Sequence, residues 1–172
     1  MWKIIGIIVL VSILLILVRL WLLQPVKKRN IKTSDFNKYL KELFTFFEVG
    51  SFFFAKHNNS DKFIQCALTD LGKENVTFEF GIPLVEWSEN FFECIKTEAH
   101  NIGFDITTEE PEKTKKNGFQ KFLRMKSKQK INEAVETAAS WCLKLQEIME
   151  INKEDYFTIH IKGNVKSINK IK

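Results

Sequence analysis

The run from Ile4 to Leu23 constrains this 172-residue chain more than any other feature, because only Gly6, Ser12 and Arg19 interrupt its apolar side chains. A helix of that length spans about 30 Å, the thickness of a bilayer hydrocarbon core. The run is longer than a signal-peptide core of about 7 to 15 residues, and no small-x-small cleavage pattern follows Leu23. The sequence therefore predicts a retained transmembrane helix over residues 1–25. Arg19 and Trp21 fall near its end, where a guanidinium reaches headgroups and an indole rests in the interface. Lys27, Lys28 and Arg29 follow at once, against a single Lys3 on the other side. The excess of positive charge predicts a single-pass membrane protein with the remaining chain in the cytoplasm.

Beyond that span the length allows one ordinary domain. Residues 26–32 read as a basic juxtamembrane linker, 33–162 as a soluble α+β domain and 163–172 as a basic tail. Without the first 25 residues, 24 basic side chains face 21 acidic ones, so the pI near 9 is no nucleic-acid signature. Cys66, Cys94 and Cys142 are odd in number, contain no CxxC pair and sit in apolar patterns, which predicts buried free thiols.

Thr33 and Ser34 can cap a helix carrying Phe36, Tyr39, Leu40, Leu43, Phe44 and Phe47 on one face. Three short runs follow, 50–56, 62–69 and 75–81, separated by turn-rich stretches, and they predict an antiparallel meander. In the third, Val76, Phe78 and Phe80 alternate with Thr77 and Glu79, as in a sheet with one wet face. A second helix is expected from Ser88, with Trp87 stapled on Phe92, to a terminating Gly103. Strands over 104–109 and 118–126 then frame a long hairpin with a mobile polar tip. A last helix near 128–150 places Ile131, Ala134, Val135, Ala138, Trp141, Cys142 and Leu145 at helical spacing. Residues 156–161 alternate as an edge strand would.

The order helix, three strands, helix, two strands, helix over residues 33–150 resembles the type III secretion chaperone-like fold shared with the YbjN-type proteins. The resemblance implies a compact, often dimeric α+β module that binds other proteins along its sheet and helix surfaces without catalysis. This chain departs from the family pattern in its apolar N-terminal run, its strand-like tail and its basic charge, and no residue role is carried over.

Catalytic and ligand chemistry is sparse. His57, His100 and His160 have no His or Cys partner at metal-ligand spacing. The seven glycines form no phosphate loop, and neither GxSxG nor HExxH occurs. No catalytic, cofactor or metal site is expected. Two surfaces are: one is the run Phe52-Phe53-Phe54, whose rings cannot all point to one side of a strand. The other is the stretch from Lys113 to Lys130, whose Lys115, Lys116, Lys121, Arg124 and Lys126 are uninterrupted by acidic residues. The sequence thus predicts a membrane-anchored, non-catalytic protein-interaction module with a protein partner or a second copy of itself. The alternative is a domain that contacts anionic lipid through the basic hairpin; nucleic acid is disfavoured because only Phe119 and Phe122 offer stacking there.

Overall fold

The computed structural model describes residues 26–109 and 122–166. Seven strands, β1 Val26–Ile31, β2 Phe52–His57, β3 Phe63–Leu71, β4 Asn75–Pro83, β5 Asp105–Glu109, β6 Phe122–Lys130 and β7 Phe157–Lys162, form one sheet. They lie in the order β1-β7-β2-β3-β4-β6-β5, every pair antiparallel. The helices are α1 Phe36–Phe46, entered through a 3-10 turn at Thr33–Asp35, the short α2 Glu86–Glu89, α3 Phe92–Asn101 and α4 Ile131–Ile148.

Side-chain alternation with period two fixes which face of the sheet is dry. Phe53 and Ala55 of β2 lie level with Cys66 and Ile64 of β3 and with Ile161 and Ile159 of β7, and all six are buried. Val76, Phe78, Phe80 and Ile82 extend the same face through β4, and Leu123 and Met125 carry it across β6. The helices bring complementary stripes. Phe36 of α1 meets Phe53 and Phe157 edge-on at 5.1 and 5.3 Å, and Phe44 meets Phe78 at 5.3 Å. Trp141 of α4 packs on Phe104 at 5.6 Å, and Phe104 stands edge-on to Phe78 and Phe80. Ile95 and Ala99 of α3 join the same core. All this packing is on one face, which makes two layers with helices on one side of the sheet.

The expected fold class, a transmembrane helix followed by α-β-β-β-α-β-β-α, is corrected here. The class α+β and the antiparallel sheet hold, but the sheet has seven strands, and no helix among the described residues is long and apolar enough to cross a membrane. Residues 1–25, including Arg19 and Trp21, lie outside the described residues. The segment read as a linker is instead β1, whose Lys27 and Lys28 pair with His160 and Ile159. Strand β7 is not an edge: it lies between β1 and β2. Residues 163–166 are also tied down, with Val165 bridged to Phe47 and the Lys166 ammonium donating to the carbonyls of Phe44 and Thr45 at the end of α1. Strand β6 runs to Lys130, so the last helix starts at Ile131. The expected second helix is broken: Ser88 is buried within α2, its hydroxyl bonded to Pro83 and Val85, and α3 restarts at Phe92. Gly103 does end α3 with φ +86°, a conformation that a side chain resists.

Candidate functional site

The second face of the sheet carries no helix among the described residues, and its central strands present aromatic rings. Phe52 and Phe54 point there from β2, level with Ala67 and Gln65 of β3 and with Lys162 and His160 of β7. Phe63, opposite Lys56, points the same way and meets Phe54 at 4.9 Å with the rings tilted by 37°. Trp87, the second residue of α2, packs partly against the core and meets Phe63 edge-on at 5.5 Å. All four rings are half-buried. Phe53, expected as part of the contact surface, is instead in the core with 0% exposure, because it holds the opposite phase to its neighbours. Phe63 is not among the surface residues expected from the sequence, and Trp87, expected to staple on Phe92, instead has its ring contact with Phe63. The alternation Phe63, Gln65, Ala67 was visible, but only the pairing register puts Phe63 beside Phe54.

Of the basic candidates, Lys115, Lys116 and Lys121 lie outside the described residues. Arg124 and Lys126 are on the open face of β6, opposite Gly81 and Glu79 of β4. The Arg124 guanidinium donates to Glu79 at 2.5 Å, and Lys126 is exposed, level with Asp105 of β5. Lys27, Lys28 and Arg29 are exposed on the edge strand β1, where lysines discourage edge-to-edge aggregation. Lys27 pairs with His160, and Lys162 follows on the same face of β7. His160 thus sits between two ammonium groups, and burial together with those charges holds its imidazole below the ordinary range. Beside it is a depression of about 250 Å³ lined by Phe54, Lys56, His57, Asn58, Thr158 and His160.

A second constellation is invisible in the sequence because its Asp155 lies 98 positions from His57. His57 Nδ1 lies 2.7 Å from Ser60 Oγ, and His57 Nε2 lies 3.1 Å from Asp155 Oδ2. The residue types are those of a nucleophilic triad. The surroundings are those of a clasp. The His57 side chain is 8% exposed, and Ser60 Oγ also accepts the Lys62 N–H at 3.3 Å. Asn58 N–H donates to the Tyr156 carbonyl at 3.0 Å alongside, so the group ties the β2–β3 turn to the segment entering β7.

Among the described residues no group of three or more His, Cys, Asp or Glu side chains could hold a metal ion. Cys66 and Cys142 are buried, and burial pushes both thiols up, out of the reactive range; Cys94 is exposed, against expectation. An open groove of about 840 Å³ runs between α1 and α4 on the outer side of the helix layer, with Asn37, Lys41, Glu136 and Ser140 in its walls. Comparison with protein families, with curated proteins and with solved structures gives no match.

Proposed function

We propose that this chain is a non-catalytic protein-interaction module whose contact surface is the helix-free face of the sheet, centred on Phe52, Phe54, Phe63 and Trp87. One observation supports the reading: neighbouring strands of a two-layer fold present contacting aromatic rings on the face opposite α1, α3 and α4, with Trp87 of α2 at its border. Half-buried aromatic rings grouped in this way are what interfaces use, because large rigid rings bury area at small entropic cost. The strands beneath hold the rings in place without the partner, so little ordering is required on binding.

The test is co-purification with the tagged full chain in three forms: wild type, the double variant Phe54→Asp/Phe63→Asp, and Leu143→Asp on the exposed side of α4. The expected outcome is a set of proteins retained by wild type and Leu143→Asp and lost from the double variant, with all three chains equally folded by circular dichroism. Retention of the same set by the double variant would remove this surface as the contact site.

A further inference from the structure

We propose that the depression between β2 and β7 on the helix-free face is an anchor subsite for an acidic side chain of a protein partner, whose apolar neighbours dock on Phe54 and Phe63. This rests on the interaction reading above and adds the chemistry of the partner.

Charge and shape carry the argument. The half of the face made by β1, β7 and β2 holds Lys27, Lys56, His160 and Lys162 around Phe52 and Phe54. Among the described residues, the carboxylates paired with cationic or imidazole groups on that half are Asp61 in the β2–β3 turn, 3.2 Å from Lys56, and Asp155, 3.1 Å from His57. The acidic residues of the open face are on the other half. Glu79 is held by Arg124, Asp105 faces Lys126, and Asp70 lies across from Thr77 at the far end of β3. Lys27 and Lys162 have no carboxylate within 4 Å among the described residues. An aromatic platform with a one-sided cationic rim complements a segment that carries acidic residues next to apolar ones. A second copy of the chain would bring Lys27, His160 and Lys162 against a surface of the same sign, since a two-fold interface apposes the same patch to itself.

The depression favours a polypeptide over a bilayer. At about 250 Å³ it is smaller than the range for drug-sized ligands and suits a single protruding side chain. A headgroup plane would meet the exposed rim instead. A carboxylate seated there would lie beside His160 and favour its protonated form, so docking takes up a proton and strengthens as pH falls. The groups facing His160 are Lys27 from β1, Lys162 on β7 itself, and Lys56 and the edge of His57 from β2, the last two held by Asp61 and Asp155.

The experiment pans a random twelve-residue peptide display library on the purified full chain. Recovered peptides are synthesised and their affinities measured against wild type, Phe54→Ser, Lys162→Glu and His160→Gln, with phosphatidylserine vesicles as a parallel probe. The expected peptides carry Asp or Glu within two positions of Phe, Leu or Trp and are lost on Phe54→Ser. They bind about tenfold more weakly to Lys162→Glu. They also bind about threefold or more tightly at pH 6 than at pH 7.5, a gain that His160→Gln removes. Peptides that need Phe54 but carry no acidic residue would overturn this proposal and leave the interaction reading standing. Recovery of no Phe54-dependent peptide would overturn both. Binding to the vesicles alone would assign the face to anionic lipid and overturn the proposal.

Discussion

Phe53 and Phe54 are adjacent in sequence and opposite in environment, and the difference is a matter of phase along one strand. Phe53 faces Phe36 in the core with no exposure, whereas Phe54 lies half-buried against Phe63 on the uncovered side. Truncating a fully buried ring leaves a cavity as well as lost transfer energy. Phe53→Ser is therefore expected to destabilise the fold by about 4 kcal/mol in chemical denaturation. Phe54→Ser removes a ring that already meets solvent and is expected to cost about 1 kcal/mol or less while abolishing peptide binding. Equal losses for the two would contradict the assignment of faces. The sequence alone established that three consecutive rings must divide between two faces. It did not establish which, because the phase of β2 is set by its pairing with Cys66 and Ile161, residues that are distant along the chain. The same distance hid the His57 clasp, since Asp155 is 98 positions from its partner.

At the scale of elements, legibility followed locality. α1 and α4 were readable because their buried positions recur every three or four residues within a single segment. The meander β2–β3–β4 was readable because its turns carry their own signals, Asn58-Asn59-Ser60-Asp61 in the first and Gly72 in the second. β1 was not, because Lys27, Lys28 and Arg29 give it no apolar alternation; it is a strand because β7 offers it a ladder. The interior place of β7 was equally hidden, since α4 carries the chain back across the sheet and inserts β7 between two earlier strands. That insertion has a tight end. Gly163, with φ +141°, approaches β2 so closely that an added Cβ would fall 1.9 Å from the Ser51 hydroxyl. Gly163→Ala is expected to destabilise the protein by about 2 kcal/mol, through both overpacking and a strained backbone. Hydrogen exchange should report the loss first in β7 and β1; an unchanged melting temperature would contradict this close approach.

Residues 26–109 and 122–166 together form a one-sided sandwich. Among the described residues α1, α3 and α4 pack on one face of the sheet, and the other face presents rings and charge. That asymmetry is the basis of the functional reading, and it emerges only when seven strands are put in order. The basic stretch noticed in the sequence is divided by the fold, with Arg124 engaged by Glu79 and Lys126 opposed to Asp105. The cationic rim that matters lies instead on β1 and β7, which the sequence reading had treated as a linker and an edge. The most direct test of the central claim places a photo-reactive phenylalanine analogue in the full chain at Phe54, at Phe63 or, on the outer helix surface, at the exposed Leu143, with irradiation in the cell. Covalent adducts with the same partner are expected from positions 54 and 63 and none from position 143. Adducts from position 143 alone would contradict that claim and move the contact surface to the helix layer.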